Sequence, residues 1–511
     1  MTATDRPAAR SLWRDRRFLR FWSGQAVSQF GDRVTELAMP LIAATTLRAS
    51  ASEVAVLTAL LWTPNLAALV LGAWADQHAR KRRLMVAADL VRAVVLLSLP
   101  VAAAAGAVTL GQLYAVALVT GTAKVVFNTS YPSFFAHLVP KASYLDANGK
   151  LNTTLSASYV AGPAIGGALV QAVGAPVAVI ADAASFLASA FLVGGIRTQE
   201  PPVTGPAPLR RRVRDGMTYI ARDPVLRVTL GCATTVNFFT FVAGTGLVVL
   251  FATRVLRLSA GGLGLALAIG ATGSLVGAVI APSLSRRWGI GPSIAAGAFL
   301  FPAPIAIAAV ASGPLWVRGG ALALSEFLAG IGLMLFDINI NSLQAAVIHD
   351  GIRSRVSGAY STLNYGIRPL GALAGGILAT AIGLRPTLLA AAAGGALSVL
   401  WLVFSPVLRI RALDQAPVAA GRDGRGGRRI ASEQDGAAVD GEDGAGDEAV
   451  AHQVEVGGGD LVRLADRLGD GPLGQRAKQR RTLWFRSRVP HRRVNCSRPD
   501  RVDPDRGQLN G

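Results

Sequence analysis

The chain has 511 residues, is 51% hydrophobic and only 16% charged, and has a mean hydropathy of +0.42, which is too apolar for a water-soluble protein of this length. Its net charge of +20 and pI near 11.2 raise nucleic acid as a partner, but the placement of the charge argues against one. Up to Arg411 about 15 acids stand against roughly 34 Lys and Arg, and most of those bases form short clusters between apolar segments instead of lining one polar face.

A membrane span needs about 20 apolar residues. Taken in chain order, candidate spans run over 18–46, 54–75, 84–106, 112–132, 155–173, 176–196, 226–252, 260–282, 292–312, 315–341, 356–382 and 386–408. The expected fold class is therefore an all-α polytopic membrane protein of about twelve transmembrane helices. The basic start, "RDRRFLRFW", is not followed by a short apolar region with a small-residue cleavage site, so no cleavable signal peptide is expected. Cys232 and Cys496 are too few for a disulfide framework. Gly174 and Ala175 alone divide the fifth span from the sixth, and Leu384 and Arg385 the eleventh from the twelfth. Such joints predict tight helical hairpins.

Charge orients the spans. The connections "HARKRR" (78–83), "LRRRVR" (209–214), "SRR" (285–287) and "RSR" (353–355) are basic, whereas "AAAAGAVTLGQ" (102–112) is not. The positive-inside rule then places both termini in the cytoplasm of a cell's inner (plasma) membrane.

An internal repeat accompanies this pattern. "DRRFLRFWSG" from Asp15 echoes "DPVLRVTLG" from Asp223, "FNTSYPSFF" from Phe127 echoes "FDINI" from Phe336, and "GPAIGG" from Gly162 echoes "RPLGALAGG" from Arg368, at offsets of about 205 to 209. The reading is two six-helix pseudo-repeats: residues 1–196, a cytoplasmic linker 197–224, and residues 225–411. Two related halves of this kind imply a substrate site near the midplane between them. Residues 412–511, with about 17 basic and 16 acidic side chains and little periodic apolar content, are expected to be a disordered cytoplasmic tail.

The connection "GAWADQHARK" resembles the loop signature of the major facilitator superfamily, with Gly72, Asp76, Arg80 and Lys81 on the pattern and Gln77 and Ala79 off it. A second stretch is similar to the superfamily's antiporter motif, with Gly149, Gly162, Pro163, Gly166 and Gly167 matching and Ser158 in place of a Gly. "QAVSQFGDRVTELAMPL" (25–41) and "RVSGAYSTLNYGIRPLGALAGG" (355–376) look like the branch that holds enterobactin exporters and macrolide efflux pumps. This resemblance covers residues 12–411. It implies the major facilitator fold, a cytoplasmic gate at the first motif, and export of a drug, macrolide, siderophore or similar molecule. The bland alternatives are loop charges for the first motif and small-residue helix packing for the second.

Ionisable groups at membrane depth default to functional candidates. Asp32 and Glu36 are four residues apart and share one helix face, so they could trade a proton. Arg33 could pair with an acid or with substrate. Lys124 and Asn128 are candidates to line the cavity, as are Glu326 and Arg368, while Asp89 with Arg92 and Asp182 read as structural and Asp337, nearer the cytoplasmic end, as a gate or a structural pair. Asp182 is also expected near the outer side, where water reaches. No nucleotide-binding loop, catalytic triad, metal-ligand cluster or cofactor motif is visible, so the chain is not expected to be an enzyme. Its expected partners are a small-molecule substrate, protons and the lipid bilayer, with the chain acting as a monomer driven by an ion gradient. The two alternatives are a lipid or lysophospholipid flippase on the same fold and a non-transporting membrane sensor.

Overall fold

A computed structural model of the protein describes residues 12–412 apart from 79, 141–142, 197–208 and 349–351. Among the described residues the chain is helical, with no strand. The rods are α1 (Arg16–Leu41), α2 (Ala51–Ala75), α3 (Lys81–Ala104), α4 (Leu110–Leu138), α5 (Tyr144–Val173) and α6 (Ala175–Gly194). A short helix follows, α7 (Leu209–Arg222). Six more rods complete the fold: α8 (Pro224–Arg254), α9 (Ala260–Trp288), α10 (Ile290–Val310), α11 (Leu315–Val347), α12 (Arg355–Ile382) and α13 (Leu384–Val403).

Ten of these rods are long and apolar enough to cross a membrane. The two that fall short, α1 with 26 residues and α5 with 30, are long enough, because at about 1.5 Å per residue both exceed a hydrocarbon core of about 30 Å. Composition is what sets them apart. Helix α1 carries Asp32, Arg33 and Glu36 within its length, and α5 is rich in Gly, Ser and Thr. Both pack against other helices, α1 on α5 and α6, and α5 on α9, so their polar faces point into the bundle. The polar start of α5 is helical from Tyr144, well before the apolar run that opens at 155.

The expected repeat has matching local structure. Asp15 caps α1 by accepting from the backbone N–H of Arg17 (2.8 Å) and Phe18 (3.4 Å). Asp223 caps α8 in the same way, with Val225 and Leu226 each at 2.9 Å. An N-cap carboxylate satisfies donors that the helix itself cannot. The two hairpin joints also correspond. Gly174 turns α5 into α6 at φ 84°, and Gly383 turns α12 into α13 at φ 88°. This left-handed backbone suits glycine, which has no Cβ to clash.

The end of the bundle that carries the 77–80 connection and the start of α7 is called the basic end here. At the opposite end the two halves are sealed together. Gly261 N–H donates to Gln171 Oε1 at 3.2 Å, and Arg254 donates to the Ala49 carbonyl at 2.6 Å. Helices α5 and α9 meet backbone to backbone there. A Cβ on Gly167 would stand 2.8 Å from the Gly264 Cα, and the reverse holds equally. Small residues let membrane helices approach this closely.

Candidate functional site

The N-terminal half holds a cluster of opposed charges at mid-depth. Arg92 of α3 pairs with Asp32 of α1 and stands 4.0 Å from Asp89 one turn away. Lys124 of α4 sits between two acids of α1, with Nζ 3.4 Å from Asp32 Oδ2 and 3.6 Å from Glu36 Oε1. Arg33 closes the chain onto Glu36 at 2.5 Å. Asp32 and Glu36 thus share one helix face, as their spacing predicts, and a cation bridges them. The two guanidinium groups also lie over rings: Arg33 over Tyr159 of α5 at 4.2 Å, and Arg92 over Phe186 of α6 at 3.6 Å. Cation–π contact partly replaces the lost hydration of a desolvated cation.

The outer parts of this cluster face open space and the inner parts do not. The side chains of Lys124 and Glu36 are 40% and 36% exposed, and those of Arg92 and Asp89 only 8% and 2%. Asn128, one turn beyond Lys124, is exposed. Asp182 is only 1% exposed, which corrects its expected place at a water-reached surface. Gly31 of α1 crosses directly over Asp182 and Ser185 of α6, and Ser185 Oγ donates to Asp182 Oδ1 at 3.1 Å.

The antiporter-like stretch of α5 forms the wall behind this cluster. Gly162 leaves room for the Arg33 stem, and a Cβ at Gly166 would stand 3.2 Å from Val34 Cα. Ser158 is fully buried and donates back to the Leu155 carbonyl at 2.7 Å. Pro163 lies inside the helix, with its carbonyl against Gly264. A Cβ on Gly149 would meet nothing within 4 Å. The motif residues from 162 onward therefore hold α1 on one side and α9 on the other.

At the basic end, Gly72 faces Thr129 of α4, where a Cβ would stand 3.5 Å from Thr129 Cγ2. Asp76 closes its helix, but its side chain lies outside the described residues. Arg80 is exposed at the start of α3, and Lys81 is buried with Nζ donating to the Ala75 carbonyl at 2.6 Å. Arg82, which the sequence presents as loop charge, and Arg20, near the start of α1, have definite partners. Arg82 donates to the Gly194 and Ile196 carbonyls at 3.1 and 2.5 Å, and Arg20 to the Gly195 carbonyl at 2.9 Å. Both close the C-terminal end of α6, where the helix dipole favours a cation.

The C-terminal half contributes Arg368 at the mid-depth break in α12. Its Nε donates to Asn237 Oδ1 of α8 at 2.8 Å, and Asn237 donates in turn to Asn364 Oδ1 at 3.0 Å. Its guanidinium lies 4.3 Å from the Trp62 ring of α2, 4.2 Å from Tyr365 and 4.9 Å from Phe241. Tyr159 and Asp337 lie in electrostatic range of Arg368, and Tyr159 is also the ring beneath Arg33, so one residue of α5 lies near both charged regions. Glu326 is not brought into either region; it packs against Gly270 of α9 and has no charged partner in range among the described residues. The sequence reading missed Asn237, Tyr159 and Trp62. The one signal for Asn237 was a polar amide inside an apolar span.

Two related six-helix halves, held together at one end and each carrying charged groups within its helices, define the class of polytopic transporters in which a site lies between pseudo-repeats. A family model described as Major Facilitator Superfamily matches residues 21–372, and the chain belongs to that family. It is accordingly a membrane transporter of the major facilitator type. Comparison with curated proteins gives no match. The fold is similar to solved structures that cover 76% of this chain and 98% of their own. One is a nucleoside transporter, NupG (D323A mutant), at 13% identity and TM-score 0.61; another is a bacterial homologue of the iron transporter ferroportin in an inward-facing state, at 17% and 0.62. A bacterial homolog of the human lysosomal transporter Spinster, inward-facing and unoccupied, is similar at 17% identity and TM-score 0.52, covering 78% of this chain and 97% of its own. At these identities the likeness is one of fold.

Proposed function

We propose that the protein is a secondary active exporter that moves a small hydrophobic or amphipathic molecule out of the cell in exchange for protons, by alternating access. The observation that carries this reading is the Lys124 bridge between Asp32 and Glu36, at 3.4 and 3.6 Å. Two carboxylates on one cation form a unit whose charge changes when either takes a proton. Protonation frees Lys124 from one acid and alters the field in the cleft, and a substrate arriving in the same cleft meets that altered field. The cross-half contacts at the end opposite the basic loops support a conformation closed on that side. With basic connections in the cytoplasm, both termini are cytoplasmic, the membrane is the inner (plasma) membrane, and the cleft loads from the cytoplasm or inner leaflet. The chain works as a monomer.

The test is the double substitution Asp32→Asn with Glu36→Gln in reconstituted vesicles, with a panel of antibiotics, dyes and siderophores as probes. The expected result is loss of gradient-driven export with retention of substrate exchange at equal pH. Gradient-driven export that survives the double substitution rules out the proton role of these two acids.

A further inference from the structure

Among the described residues four basic side chains lie near the middle of their membrane helices, and three of them are paired. Arg33 has Glu36, Arg92 has Asp32, and Lys124 has both acids. Arg368 is the exception: among the described residues no carboxylate comes within ion-pair distance of it, and its Nη groups make no hydrogen bond. Only Nε is held, by Asn237. Asp337 lies in electrostatic range without touching.

A half-buried guanidinium without a counterion is costly, and the surroundings offset that cost only in part. Three rings shield its faces: Trp62 from one half of the protein, Phe241 and Tyr365 from the other. Trp62 and Phe241 meet edge to face at 5.2 Å, which makes a fixed aromatic corner. Asn237 is itself fixed, donating to the Ala233 carbonyl at 3.0 Å and to Asn364. The guanidinium is therefore oriented on one side and open on the other. A guanidinium edge matches a carboxylate with two parallel N–H bonds, which an ammonium group cannot offer.

We infer that Arg368, with Trp62, Phe241 and Tyr365, is the anchor for an organic anion: a carboxylate attached to a flat or aromatic apolar body. The carboxylate completes the charge of Arg368, and the body lies along the rings. The corner draws on both halves, so an occupied site is built by one arrangement of the halves and taken apart by the other. This rests on the transport reading above and narrows its substrate class. It differs from the acids on α1, because Arg368 keeps its charge throughout and the ligand supplies the neutralising partner.

The experiment is calorimetric binding to the purified full-length chain with two probes of nearly equal shape, 2-naphthoate and 2-naphthamide. The expected result is about 10- to 100-fold tighter binding of the acid, the scale of a charge-assisted hydrogen-bonded pair. Arg368→Gln should erase that preference and leave the amide unchanged, while Arg368→Lys should retain a reduced part of it. Equal binding of acid and amide by the unaltered protein overturns the inference without any variant, as does absence of naphthoate binding or a preference that persists in Arg368→Gln. Gradient-linked export with no preference for acids would overturn this inference and leave the antiport reading standing. An acid preference at Arg368 without gradient-linked flux would do the reverse.

Discussion

Arg92→Met is expected to destabilise the protein by about 3–5 kcal/mol, the cost of leaving a buried charge without its partner, and to abolish transport. Arg92 is 7% exposed and Asp89 only 1%. Removing the guanidinium leaves Asp32 with Lys124 and the more distant Arg33, and Asp89 with no cation in range among the described residues. The Phe186 ring also loses the cation that lies 3.6 Å above it. Methionine fills similar volume and carries no charge, so packing is nearly conserved and the electrostatic effect is isolated. Thermal unfolding in detergent, followed beside transport in vesicles, checks both parts. Arg92→Lys should lose less stability, since the charge remains while the planar fork is lost. Unchanged stability in Arg92→Met would contradict the view that this arginine holds α1 to α3.

The second large effect is conformational. Gly264→Val should prevent α9 from seating on α5 at the sealed end, because a Cβ there would stand 2.8 Å from the Gly167 Cα. Overpacking of this kind costs about 1–3 kcal/mol, and applied to one of two alternating states it shifts the balance roughly 5- to 150-fold. The protein should still fold, since the other state does not need this contact, and transport should fall in proportion. A cysteine pair at Gln171 and Gly261, which are hydrogen-bonded at 3.2 Å, reports the change as lost cross-linking. Gly320→Val is the control, because nothing lies within 4 Å of a Cβ there. Equal cross-linking in Gly264→Val and the control would show that this seam does not close the site.

Much of the fold is written in local pattern. Hydropathy marks all twelve rods, and tight hairpins follow from the shortness of the joints; the second turn falls on Gly383, so Leu384 and Arg385, expected to form the joint, instead open α13. The stretches from Asp15 and Asp223 mark the repeat in the sequence, and the structure shows both aspartates as N-caps. Helices α1 and α5 are harder to read, since a span that faces other helices tolerates charge and small polar residues that a lipid-facing span excludes. The site is less legible than the fold. Spacing puts Asp32 and Glu36 on one face, but their bridge is Lys124 on another helix, and Arg92 finds Asp32 across 60 residues of sequence. The partner of Arg368 is 131 residues away. Such pairs depend on helix packing, which periodicity within one helix does not encode. Arg82 shows the same limit from the other side. Its place in a basic loop is explained by topology alone, and only the packed structure reveals that it closes the end of α6.

Uptake into everted membrane vesicles, measured across a panel of antibiotics, dyes, siderophores and aromatic acids with and without a protonophore, is the decisive test of proton-driven export. An amphipathic compound is expected to accumulate, and that accumulation to collapse when the proton gradient is removed. Accumulation that is indifferent to the protonophore, or no gradient-linked flux of any compound, would contradict it.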